Sequence, residues 1–188
     1  ASLWREEAPR VERSAILTCH PESHLEALER SIPQEGFAAI DSDTVLSPGS
    51  LEAVMRGAGA ATRAVDAVLS GEARNAFAAI RPPGHHAERV TAMGFCFFNN
   101  AAISARYAQK KFGIGRVAII DWDVHHGNGT QDIFWSDRSV MYCSTHQMPL
   151  YPGTGAASET GAHDNIVNAP LGKGDDGEKF REALTTRI

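Results

Sequence analysis

"RVAIIDWDVHHGNG", residues 116–129, decides the fold. An apolar run from Val117 to Ile120 breaks off into two aspartates and two histidines. Apolar side chains without polar alternation describe a strand buried on both faces, the habit of parallel sheets. Working outward, short apolar runs recur at "AFAAI" (76–80), "SVMYCST" (139–145) and "NIVNAPL" (165–171). Between and before them lie helical patterns. Residues 50–70 carry apolar positions at helical spacing, with Ser50 as cap, Glu52 at the positive end and Gly71 as stop. A second helix is expected from Asn99 or Asn100 to Phe112, ended by Gly113. Alternating strands and helices make an α/β fold, an open parallel sheet with helices on both faces, and residues 1–188 read as one domain.

In such sheets ligands bind at the carboxyl ends of strands. "RPPGHHAE" (81–88) follows the first run, "DVHHGNG" the second and "HQMPLYPGTG" the third. The polar clusters therefore gather at one sheet edge. "PESHLEALERSI" suits a short helix with Leu25, Leu28 and Ile32 on one face, and His20 and His24 are candidates to touch the site. Residues 153–165 form a long glycine-rich loop, a length often tied to function.

Composition narrows the function. Eighteen basic against 23 acidic residues leave a net charge of −5, and no basic block is present, which argues against direct nucleic-acid binding and suits a cationic substrate. Cys19, Cys96 and Cys143 are odd in number and widely spaced, which argues for a reducing, cytoplasmic compartment and against a cysteine zinc site. No apolar run is long enough to span a membrane, and residues 1–14 lack the apolar core of a signal peptide. Oligomeric state, including a homo-oligomer, stays open.

Asp123 and His125 flank one residue. In an extended stretch i and i+2 point the same way, so a carboxylate and an imidazole converge, a sound donor pair for zinc and related ions. His126 points the other way and is expected to pack or hydrogen-bond rather than ligate. Asp121 lies one step earlier on the ligand side. The plainer alternative is a capped strand end with solvated side chains. His85 and His86 follow Pro82, Pro83 and Gly84, a rigid approach that suits proton transfer. The plainer alternative there is a loop with two exposed histidines.

"RPPGHHA", "MGFCFFNNAAISA", "IIDWDVHHGNGTQDIF", "STHQMPLYPGTG" and "NIVNAPL" together resemble the zinc-dependent histone deacetylase family, closest to its class II-like bacterial branch with acetylpolyamine amidohydrolases and acetoin-utilisation proteins. The resemblance runs from about Asp41 to the last residue and implies the arginase/deacetylase fold. It implies one zinc, with Asp123 and His125 as ligands, and His85 and His86 as catalytic histidines. Asp121 and Asn128 then pair with those two histidines in turn. Gly94, Phe95 and Tyr151 line an acyl-lysine channel. Asp121, Ser144 and Thr145, with carbonyls of Asp123 and His125, match a potassium site. Backbone near Phe134, Asp137, Val140 and Asn165 matches a second. The implied substrates are acylated lysine peptides or acylated polyamines, split into acetate and amine. A third zinc ligand in a "GFDAH"-like segment and an oxyanion-stabilising tyrosine have no counterpart before the terminal "REALTTRI", so the chain reads as the N-terminal and central part of a domain, inactive by itself. Two rivals are an inactive acyl-lysine binding module and a manganese ureohydrolase of the same fold. The histidine pair speaks against the first, and the order of DWDVHH against the second.

Overall fold

The computed structural model describes residues 3–188. In chain order the elements are α1 (Arg13–Ile16), α2 (Glu22–Ser31), β1 (Ala38–Ala39), β2 (Val45–Leu46), α3 (Ser50–Leu69), α4 (Asn100–Phe112), β3 (Val117–Asp121), α5 (Asn128–Phe134), β4 (Val140–Gln147), β5 (Ile166–Leu171) and α6 (Gly177–Thr186). Strands β3, β4 and β5 form a parallel sheet in that order, and β1 and β2 form a small antiparallel pair. This is the expected α/β class.

Local chemistry sets the helix ends. Asn99 caps α4, its side-chain oxygen accepting the Ala102 N–H at 3.0 Å, and Gly113 ends the helix at φ +68°. Lys110 and Lys111 sit in its last turn, where the dipole favours cations. Asp176 caps α6 through Glu178 and Lys179. At α3 the capping residue differs from expectation: Gly49 is the N-cap, while the Ser50 hydroxyl accepts the N–H of Ser47 at 2.8 Å. The buried face of α3 carries Gly57, Ala58, Gly59 and Thr62 and packs on α4. A side chain at Gly59 would strike the Pro9 carbonyl, so the close approach of the N-terminal segment requires glycine there.

The core joins Ile16, Leu25, Leu28, Val54, Phe98, Ile103, Phe134 and Val140, with Val117 and Ile119 packed against it. One face of β3 is thereby covered. The other is not, contrary to the expectation of a strand buried on both sides: Ile120 is 49% exposed, and Trp122 beyond it 70%. Residues 76–80 are a second correction, since they form no strand and Phe77 is 92% exposed. A strand needs a hydrogen-bonding neighbour, and among the described residues β3 pairs only with β4.

The sheet register positions the site. Asp121 at the end of β3 lies opposite Ser144 of β4, which lies opposite Asn168 of β5. The chain leaves β3 at Asp121 and enters α5 at Asn128, so the intervening turn carries Asp123, His125 and His126 over the carboxyl edge.

Candidate active site

Two histidines with two different partners form the base of the cleft. His85 and His86 stand with ring centroids 4.0 Å apart. His85 Nδ1 donates to Asp121 Oδ2 at 2.9 Å, and His86 Nδ1 donates to Asn128 Oδ1 at 2.9 Å. His125 lies 6.0 Å from His86, and the Tyr151 ring stands edge-on to both, at 5.0 Å from His86 and 6.1 Å from His125. Asp123 Oδ1 accepts the backbone N–H of His125 at 2.8 Å and lies 3.2 Å from its Nδ1. The histidine pair of the 81–88 loop and the Asp–His pair of the 121–126 turn thus face one space at the carboxyl edge of the sheet.

Asp121 is the hub beneath them. Its Oδ2 also accepts the Tyr142 hydroxyl at 3.0 Å, and its Oδ1 accepts the Asp123 N–H at 3.1 Å. Tyr142 in turn accepts the Gly127 N–H at 3.1 Å. A side chain at Gly127 would collide with the Asp121 carboxylate and the Tyr142 hydroxyl. The glycine of "HHGNG" is therefore what lets the turn close over the aspartate.

The two imidazoles are driven apart electrostatically. Burial works against a charge on His85, but the hydrogen bond and negative charge of Asp121 outweigh it and raise its pKa. The same pairing holds the Asp121 carboxyl low despite its burial. His86 has only an amide partner, and burial, with the neighbouring His85, pushes it down to about 4. Paired groups split in this way are suited to separate electrostatic and base roles.

Gly94 and Phe95 sit at positive φ, +56° and +65°. A Cβ on Gly94 would lie 2.5 Å from His86 Cδ2, so the backbone itself forms the wall beside that ring. Phe95 is held by its N–H to the buried Thr44 hydroxyl at 3.1 Å and leaves its own ring exposed. His126 lies below the site and buried, between the Thr154 hydroxyl at 2.7 Å and Gln131 Oε1 at 3.1 Å. His20 and His24, candidates from the sequence, are buried structural groups. His20 accepts the Asn99 N–H at 2.9 Å, and His24 bonds the Phe97 carbonyl at 2.8 Å.

Two contributors escaped the sequence reading. Tyr142 is two residues before Ser144 on one strand, and that alternation was the signal for a side chain on the Asp121 face. Glu88 follows the histidine pair by two residues and accepts the Asn128 Nδ2 at 2.8 Å.

Comparison with known proteins bears on this arrangement. The model of the histone deacetylase domain matches residues 2–188. The chain belongs to the histone deacetylase family. It is 47% identical over 167 residues to a probable deacetylase of Archaeoglobus fulgidus, covering 86% of this chain and 46% of that protein. It is 39% identical over 188 residues to a histone deacetylase-like amidohydrolase of Pseudomonas aeruginosa, covering 98% of this chain and 49% of that protein. The crystal structure of the HDA15 HD domain superposes with a TM-score of 0.82 at 40% identity, covering 87% of this chain and 47% of that one. The chain spans about half the length of the curated relatives it matches.

Deacetylases of this family imply a metal, and the donors present can be tested against it. Asp123 Oδ1 and His125 Nδ1 are 3.2 Å apart. Two ligands on a tetrahedral zinc stand ~3.3 Å apart, so the pair fits half of a zinc shell. Among the described residues no group of three or more His, Cys, Asp or Glu is set to hold a metal ion. For the first implied potassium, Ser144 lies opposite Asp121 in the sheet register, and its hydroxyl is 2.9 Å from His146 Nδ1. At the second, a side chain stands among the carbonyls. The Asn165 side-chain nitrogen lies 2.8, 3.2 and 3.1 Å from the carbonyls of Phe134, Asp137 and Val140, and fills the point on which they converge.

Proposed function

We propose that the protein hydrolyses acyl amides of the acyl-lysine or acylpolyamine kind, releasing acetate and a free amine in a zinc-dependent reaction. The observation that carries this reading is His86: buried, low in pKa, and tied through Nδ1 to Asn128, so that Nε2 is left for the cleft beside Asp123 and His125. Zinc, held by Asp123 and His125, would acidify a water and polarise the scissile carbonyl. His86 Nε2 takes the proton from the attacking water and returns it to the leaving nitrogen, a base–acid exchange that needs a neutral imidazole at the start. His85, its pKa raised by Asp121, is placed to stabilise negative charge as it develops on the amide oxygen.

Tyr151 and Phe95 stand exposed at the mouth, with backbone at Gly94. Aromatic faces of this kind receive a narrow aliphatic stem and reject bulk close to the histidines. The net charge of −5 favours a cationic substrate. Potassium at Ser144 and the neighbouring carbonyls would brace the turn that carries Asp123 and His125. Three buried free thiols support a reducing, cytoplasmic setting.

The test is acetate release by the full-length protein from acetyl-lysine peptides and from acetylpolyamines, with zinc content measured alongside. Release that disappears with chelation and returns with zinc supports the proposal. A zinc-loaded protein that binds these amides and releases no acetate would make it a binding module instead.

A further inference from the structure

The Asn128 side chain is an amide between two partners. One end meets His86 Nδ1 at 2.9 Å, and the other meets Glu88 Oε1 at 2.8 Å and the Met93 sulfur at 3.3 Å. An amide can turn end for end, and its two orientations give opposite instructions to the histidine. With oxygen toward His86, Nδ1 must carry the proton, and Nε2 is a free base. With nitrogen toward His86, Nδ1 must accept, and the proton moves to Nε2, where it blocks the base.

A carboxylate only accepts hydrogen bonds, so Glu88 admits the nitrogen end of Asn128 alone. That choice forces the oxygen end toward His86. The Glu88 backbone is fixed in turn, its N–H donating to the Thr91 carbonyl at 3.0 Å. Asn128 and His86 are both buried, so water does not compete for the bond between them. We infer that Glu88 is a positioning residue, setting the tautomer of His86 through the Asn128 amide and so leaving Nε2 free for proton transfer.

The inference rests on the deacetylase reading for its kinetic consequence, but its structural consequence is independent of activity. In the full-length protein, Glu88→Gln supplies a side chain that can donate as well as accept, and Asn128 is released to turn. The expected result is a kcat lower by about tenfold or more with KM unchanged, the scale on which general-base catalysis contributes. Imidazole 15N shifts of His86 at neutral pH should then show the Nε2–H form, absent in the parent. Adding Asn128→Asp to Glu88→Gln restores an oxygen at both ends of residue 128. The amide introduced at position 88 donates to one end and His86 to the other, so the Nδ1–H form and kcat should recover. The double variant guards against a folding defect, since a misfolded Glu88→Gln protein would not be rescued. Parent-like His86 shifts in Glu88→Gln would overturn the inference, as would a double variant that does not regain the Nδ1–H form. If the parent releases no acetate, the functional proposal fails while the 15N comparison still decides the role of Glu88.

Discussion

His85 Nδ1 lies 2.9 Å from Asp121 Oδ2, and the same carboxylate oxygen takes the Tyr142 hydroxyl at 3.0 Å. The carboxylate is thus shared between a histidine whose pKa it raises and a tyrosine that holds it in place. Asp121→Asn removes the charge and keeps the shape. The His85 pKa should fall from its raised position, because burial is then opposed by the Asp123 charge without that of Asp121. Turnover should drop about 10- to 100-fold, the cost of losing an outer carboxylate partner. An NMR titration of His85 in the two proteins checks the first outcome and acetate release the second. An unchanged titration would mean that Asp121 does not govern His85.

Gly94 forms the wall beside His86 at φ +56°. Gly94→Ala sets a methyl 2.5 Å from His86 Cδ2 and places it on a backbone that L-residues rarely adopt. The ring must move, so the loss should appear in kcat more than in folding. Stability should fall by ~1–3 kcal/mol. Urea unfolding beside steady-state kinetics separates the two, and parent-like kcat would show that the loop yields without disturbing the histidine.

Stability should depend on acidity in a defined window. Burial, the largest cause at each, pushes His20, His86 and His126 down to about 4. Each is neutral in the folded protein between that value and the ordinary histidine pKa, where the unfolded chain takes up a proton. Protons therefore favour unfolding, and stability falls as pH drops from about 6.5 toward 4, by ~1.4 kcal/mol per pH unit for each group. Denaturant midpoints measured across that range should decline steadily. Midpoints that stay level from pH 6.5 to 5 would show that these imidazoles are not held neutral.

The sequence showed most of the site because the chemistry is local. Asp123 and His125 converge through i, i+2 spacing alone, and "HHGNG" contains both the partner of His86 and the glycine that lets the turn close over Asp121. Helix α4 was legible because its cap Asn99 and its stop Gly113 are themselves sequence signals. What failed was long-range. Residues 76–80 have strand composition, but composition does not supply a neighbour, and they run as exposed chain. Ile120 is apolar and still exposed for the same reason. His20 and His24 were candidates to touch the site, and the core bonds to Asn99 and Phe97 give them a structural place. Glu88 was in plain view within "RPPGHHAE", yet its role depends on an amide 40 residues further along.

Asn165 gives the last prediction. Its side-chain nitrogen faces three carbonyl oxygens at 2.8–3.2 Å, a cage that would otherwise suit a monovalent cation. An amide N–H group supplies the positive end of a dipole there and needs no ion, and the opposite orientation would set a fourth oxygen against the three. The internal amide should therefore replace a second potassium. In crystals of the full-length protein soaked in thallium, no anomalous peak should appear among the Phe134, Asp137 and Val140 carbonyls. Asn165→Ala vacates the cage, so a thallium peak should appear there, and the variant's thermal stability should gain a potassium dependence beyond the parent's. Thallium bound at that point in the parent would show that Asn165 turns aside and the cation site is real.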